Sequence, residues 1–407
     1  MREAAPSRFG FWKGVLGAAL AMLAAVAVIR YSRGLGAVTN LSDQYPWGLW
    51  IGFDILCGVG LAAGGFAITA TVHLFHLRRF EPIVRPTVLT AFLGYLLVIV
   101  GLLFDLGQPW RIWHALVMWN PHSVMFEVAW CVMLYTTVLA LEFSPVVFER
   151  FGLQAPRRIL RAVTVPLVIV GVLLSTLHQS SLGSLYLIVP HKLHPLWYTP
   201  MLPVFFFVSA IAAGLAMVIV ESRLSARAFG RHLEVDLLAD LARVMLVVLG
   251  LYGILRLQDL TGRGAFAYFS LASLEGRMFA LEILVGVVAP IALLALPRVR
   301  RHAGGLYLTA LLVVFGFIMH RLNVSLTGLE AAAGMRYFPS WMEIAISFGI
   351  VAAGFGLFAL AVKYLPVFAA PEATAPGMAA PPAGRPSATR MRPAARPSSP
   401  LFRPRAT

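Results

Sequence analysis

Apolar residues gather in this chain into runs far longer than the stripe of an ordinary surface helix. Ten can be drawn, at approximately residues 11–30, 50–76, 87–105, 122–143, 162–180, 201–222, 239–259, 276–297, 306–328 and 341–363. Each is close to the 20 or so residues that cross a hydrocarbon core about 30 Å thick. Barrel strands would need only about ten residues and strict alternation. The pattern therefore predicts an all-α polytopic membrane protein of ten transmembrane helices, because a lipid-embedded helix satisfies its own backbone. The first run, Phe11 to Ile29, lacks a clear small-residue cleavage site and is read as a retained span rather than a signal peptide. Residues 366–407 are rich in Pro, Ala and Arg without periodicity, which predicts a disordered tail behind a membrane domain of residues 1–365.

Composition agrees with the pattern. Of 407 residues, 59% are hydrophobic and only 13% charged, with a mean hydropathy of +0.81, well outside the range of soluble domains. The net charge of +15 would suit a nucleic-acid partner, but its distribution points elsewhere. The N-terminus, segments 77–86, 144–161, 223–243 and 298–305, and the tail from Lys363 hold 24 of the 33 basic residues. The positive-inside rule then puts both termini in the cytoplasm, and this asymmetry accounts for the charge. Cys57 and Cys131 both fall within apolar runs, so neither a disulfide framework nor a cysteine-held metal cluster is implied.

The stretch Tyr45–His76 organises the rest. Trp47 and Trp50 suit a membrane–water interface, Asp54 lies just inside the apolar run, and Gly60 and Gly64 have the small-xxx-small spacing that lets a neighbouring backbone approach. An ionisable group inside a membrane is costly unless paired, so Asp54 is a functional candidate. Sorted by depth, Asp54, Asp105, Glu127, His178, Arg256, Asp259, Glu282, Arg321, Asn323 and Glu343 fall towards the outer ends of the spans. His73, His76, Glu142 and Glu221 fall towards the inner ends. Glu127 and Glu142 lie about 22 Å apart along one helix and within roughly 60° of the same face, an arrangement that suits proton movement or two separate salt bridges. Glu127 and Glu282 read as the deeper outer acids. Asp105, Asp259 and Glu343 stand so near helix ends that solvated or capping roles compete with function. Arg256 with Asp259, and Arg321 with Asn323, read as mutually neutralising pairs. His178, in the polar patch STLHQSSLGS, reads as a donor for a quinone carbonyl or as a plain helix-end histidine. Haem held between two histidines is disfavoured because no two pairs match in depth. The outer segments 106–121 and 180–200 are aromatic and Pro-broken, which predicts membrane-surface or docking faces.

Several stretches together resemble the NrfD/polysulfide-reductase membrane-subunit family. They are YPWGLWIGFDILCGVGLAAGGF, EPIVRPTVL, NPHSVMFEVAWCVMLYTTVLALEFSP, LHQSSLGSLY, KLHPLW and RYFPSWMEIAIS, in order across approximately residues 10–365. Within the family the likeness is to the HybB-type subunits of periplasm-facing nickel–iron hydrogenases, often labelled b-type cytochromes. The resemblance implies two four-helix bundles with flanking spans in a bacterial inner membrane. It also implies a quinone-reactive subunit of a multi-subunit oxidoreductase rather than a stand-alone enzyme. A ferredoxin-like iron–sulfur subunit and a catalytic pair such as a hydrogenase would be its partners, with electrons entering from the periplasmic face. Quinone (menaquinone or ubiquinone) would be the cofactor, generally without haem. Glu127 and Glu221 occupy the places of buried family glutamates implicated in proton transfer, with Glu142 and Glu282 as further acids. Trp50, Asp54, His178 and Asp105 lie on the quinone-facing side. At position 320 this chain has His where relatives have Trp. Two other classes remain: a secondary transporter, which would show broken helices about a midplane site, and a passive anchor, which would need no intramembrane acids.

Overall fold

The computed structural model describes residues 8–368, so the tail predicted to be disordered lies outside the described residues apart from its first three positions. Ten helices among the described residues are long and apolar enough to cross a membrane. They are α1 (Arg8–Arg33), α2 (Trp50–His73), α3 (Arg78–Asp105), α4 (Val124–Arg150), α5 (Thr164–Ser184), α6 (Leu202–Ala228), α7 (Val235–Gly262), α8 (Leu274–Ala295), α9 (Ala303–Ala333) and α10 (Trp341–Tyr364). The predicted ladder matches them closely except at α3, which starts nine residues earlier than its apolar run. Pro82 stands in the first turn, where its missing N–H costs nothing. Pro86 forfeits a single bond to the carbonyl of Pro82, and the helix continues through it.

The spans form two four-helix bundles. In the first, α2, α3, α4 and α5 pack in a ring; in the second, α6, α7, α8 and α9 do the same. Helices α1 and α10 pair with each other and lie against α3 and the start of α2. One end of the molecule carries most of the basic residues, with Arg85 and Arg157 both paired to Glu149 and Arg79 paired to Asp240. The opposite, aromatic end displays Trp110, Trp113, Trp119 and Met118 on its surface, as the interfacial reading of residues 106–121 requires. Segment 180–200 departs from expectation. Leu193, Leu196 and Trp197 are fully enclosed, so this connection dives into the second bundle instead of lying on the surface, because its large apolar side chains fill the bundle's mouth.

The predicted close approach at the glycines is present. A Cβ on Gly60 would overlap the Phe317 ring, and one on Gly214 would sit 2.4 Å from the backbone N of Gly64. This contact of α2 with α6 is the seam between the bundles, and α5 also lies along α6. Within the second bundle, Gly286 of α8 and Gly316 of α9 touch in the same way. Helix α2 is interrupted by a turn at Ala62–Ala63, a break inside a span that its unbroken hydropathy hides.

Candidate functional site

Asp54 lies in a π-helical segment, Trp50–Cys57. Such segments admit one extra residue into a turn and recur at functional sites. Two others follow in the chain: Leu284–Val288, just after Glu282, and Asn323–Thr327, just after Arg321. Asp54 is 6% exposed and accepts a hydrogen bond from Ser347 Oγ of α10 at 2.6 Å. Gly101 admits α3 so close that a Cβ there would lie 3.0 Å from Asp54 Cβ. Trp50 donates through Nε1 to the Glu343 carbonyl of α10 at 3.2 Å. The Glu343 carboxylate is buried. It accepts from the N–H of Ser340 at 2.8 Å and of Asn40 at 3.0 Å, and from the Tyr337 hydroxyl, so it closes the capping box of α10. Arg30 donates to the carbonyls of Phe104 (2.8 Å) and Leu106 (2.6 Å), finishing α3, and the partly buried Asp105 is within electrostatic reach of it.

Beside Asp54 opens a cavity of about 400 Å³ between α2, α3, α6 and α10. Asp54 and Cys57 bound one end, Leu61, Gly94, Met217 and Gly354 line the middle, and Thr90, Glu221 and Ser225 bound the other. From Val98 to Thr90 along α3 is eight residues, or about 12 Å of depth. Its walls are otherwise apolar, and its rim carries exposed Val351 and Phe355 of α10, exposed Leu224 of α6 and exposed Phe229 just past the end of α6. The cavity therefore opens sideways, where lipid would lie. Glu221 also borders a pocket of about 90 Å³ at the basic end, shared with Thr87, Ser222, His232 and Glu234. One carboxylate thus stands between a polar vestibule and an apolar cavity whose far end holds a second carboxylate.

The remaining candidates sit elsewhere. His178 is fully buried inside the first bundle with Nδ1 2.9 Å from the Tyr95 hydroxyl, and Tyr95 meets Tyr135 edge-on. Glu142, partly buried, lies against Gly171 of α5 in the same bundle. Glu127 accepts from Ser181 Oγ at 2.5 Å, yet it is exposed on the first turn of α4. Its expected depth is corrected: distance along a helix does not say which face a residue occupies. Glu282 is as deep as predicted. Its Oε1 lies 2.9 Å from His320 Nδ1, and its Oε2 accepts from Trp197 Nε1 at 2.9 Å and Asn323 Nδ2 at 2.8 Å. The neutralising pairs read from spacing are replaced. Asp259 is held bidentately by Arg263 and by Thr199, while Asn323 serves Glu282 rather than Arg321. Arg256 instead reaches the Leu196 carbonyl, and Arg321 reaches the Phe206 carbonyl and Ser209.

Haem would need two imidazole Nε2 atoms facing across a wide cavity. His178 and His320 both bind through Nδ1 and keep Nε2 free of protein partners. They lie in different bundles, no histidine lines the 400 Å³ cavity, and the void at His320 is only about 30 Å³. His178 and His320 therefore do not fit a haem held between them. Sequence reasoning missed Ser347, which donates to Asp54, and Thr90, which lines the cavity at the Glu221 end; a lone hydroxyl in an otherwise apolar run was the available signal.

Two helical bundles, two flanking spans and a laterally open cavity with an acid at each depth define a polytopic membrane protein. The chain matches the family described as polysulphide reductase, NrfD, across residues 37–333, and it belongs to that family. It is 34% identical over 359 residues, 87% of this chain and 91% of the relative, to a probable Ni/Fe-hydrogenase 2 b-type cytochrome subunit of Escherichia coli. A protein of Nitratidesulfovibrio vulgaris is 42% identical over 363 residues, 87% of this chain and 93% of the relative. The integral membrane subunit of a menaquinone reductase from the same organism is 29% identical over 368 residues, 83% and 86% of the two chains.

Proposed function

We propose that this chain is the integral membrane subunit of a respiratory oxidoreductase, of the nickel–iron hydrogenase type, and that it passes electrons to membrane quinone with coupled proton transfer. The observation that carries this reading is the cavity between Asp54 and Glu221. Its apolar walls and lateral opening suit an isoprenoid tail, and the Asp54–Ser347 end offers a carboxyl and a hydroxyl to a quinone carbonyl. Quinone takes up two electrons and two protons to become quinol. The electrons come from an iron–sulfur subunit docked at the aromatic end; the basic-residue distribution supports a periplasmic position for that end, with both termini cytoplasmic in a bacterial inner membrane. The protons come from the basic end through the vestibule at Glu221. Trp50 positions the Asp54 turn by anchoring it to α10, and Asp105 works through Arg30 on the end of α3. His178, Glu127 and Glu142 belong to the first bundle's own polar line and supply protons along it. Haem has no part in this route. Relatives named as a hydrogenase subunit and a menaquinone reductase subunit support the same class of activity.

The test is the complex purified with its partners and assayed in two ways, with quinone and with an artificial dye that accepts electrons from the partner directly. Glu221→Gln should lower the quinone-linked rate about 100-fold, as loss of one proton-transfer group does, and leave the dye-linked rate intact. Equal quinone-linked rates in variant and parent would sink the assignment.

A further inference from the structure

The second bundle holds an ionisable cluster that the cavity does not reach. Glu282 (α8) and His320 (α9) are each 2% exposed, and their carboxylate and imidazole meet at 2.9 Å. The groups facing this pair are Tyr252 and Arg256 from α7, Arg321 and Asn323 from α9, Ser209 from α6 and Trp197 from the preceding connection. Both guanidiniums are buried, donate only to carbonyls and Ser209, and rest on phenylalanine rings, Arg321 on Phe206 at 3.6 Å and Arg256 on Phe205 at 5.2 Å. The Oε2 of Glu282 already accepts from Trp197 and Asn323, which leaves Oε1 as the acceptor facing His320. Oε1 then needs a donor, so His320 carries its hydrogen on Nδ1. That leaves Nε2 a lone-pair base, buried and without a protein partner among the described residues. His320 borders the void of about 30 Å³, whose other polar walls are Ser209, Tyr252 and Glu282. About 10–15 Å³ admits one water, provided that it finds two to four polar partners. A carboxylate on the wall disfavours an anion there.

We propose that His320 is a hydrated proton-accepting site of the second bundle, fixed as the Nδ1–H tautomer by Glu282 and presenting Nε2 to water held in the void. Proton uptake forms an N–H bond at Nε2 as an O–H bond of the void water breaks, and the hydroxide left is returned to water by a proton from bulk hydronium, so that one solvent proton is bound in all. The site is independent of quinone, so its failure would leave the cavity reading untouched. The experiment is nitrogen-15 magnetic resonance on the full chain in lipid, with histidine labelled, in acid and alkaline buffer. One signal, lost in His320→Gln, should show a protonated Nδ1 and bare Nε2 at neutral pH, become doubly protonated in acid, and shift in Tyr252→Phe. If His320→Gln does not fold, the signal is assigned in the parent by its through-space coupling to the Glu282 carboxyl carbon. An Nε2–H tautomer, a signal indifferent to Tyr252→Phe, or no second protonation before the protein unfolds would each overturn the proposal.

Discussion

Asp54→Asn is the most informative single change. The amide keeps the volume of the carboxyl, and its oxygen can still accept from Ser347 Oγ, now 2.6 Å from Asp54 Oδ2. The fold should therefore survive. What disappears is the ability to hold and release a proton beside the cavity. A positioned acid or base contributes about 10²–10⁴-fold to a proton-coupled step, and 100-fold corresponds to about 2.7 kcal/mol in the barrier. The quinone-linked rate of the purified complex should thus fall at least about 100-fold, with the dye-linked rate unchanged. Ser347→Ala should be milder, because it removes one charge-assisted hydrogen bond worth about 1.5–3 kcal/mol and leaves the carboxyl able to titrate. The pair is read together in one preparation, with quinol formation followed optically and thermal stability recorded alongside. A quinone-linked rate in Asp54→Asn within threefold or so of the parent would refute the proton role of Asp54, and a Ser347→Ala loss larger than that of Asp54→Asn would show that only packing matters there.

Other consequences can be checked separately. Gly316→Val puts side-chain atoms where even a Cβ would lie 1.9 Å from Gly286 Cα; overpacking costs about 1–3 kcal/mol, so its melting temperature in detergent should drop, whereas Phe315→Leu on the exposed face of α9 should melt like the parent. His194, in the connection that enters the second bundle, has its pKa lowered by burial, with Glu275 opposing. The unfolded connection therefore binds more protons on the acid side of the ordinary histidine value, and its stability should rise with pH through that value and level off above it. Hydrogen exchange of residues 190–200 measures this, and His194→Gln should flatten the profile. Reporter fusions at either terminus should both report cytoplasm; a periplasmic signal from the C-terminal fusion would reverse the proposed direction of electron entry.

Hydropathy alone was enough for the number, order and approximate limits of the spans, because lipid demands an apolar exterior and a self-bonded backbone. It also marked Asp54, since an acid near Trp50 in an apolar run has few bland explanations. It could not orient the helices about their axes. A membrane helix is apolar on its lipid face and on its packed face, so no stripe distinguishes Glu127, which is left exposed, from Glu282, which is enclosed. The π-helical segments were equally invisible, because a single added residue leaves composition untouched while re-aiming every side chain beyond it. Nor does local spacing reveal partners supplied from afar. Arg256 precedes Asp259 by three residues, yet Arg263 holds that acid with Thr199 from another segment, and Ser347 reaches Asp54 from 293 residues further along the chain.

The glycine seam has a mechanical consequence. Where α2 crosses α6, Gly64 and Gly214 bring main chain against main chain, with no layer of side chains that could repack into a second arrangement. Tilting one bundle against the other, the stroke by which alternating-access carriers expose a site to each side in turn, would first have to pull this splice apart. The frame is therefore built to stand still. On the proposed function, charge would cross it by short hops between fixed groups, and the moving part would be the lipid-borne substrate diffusing in and out at the side.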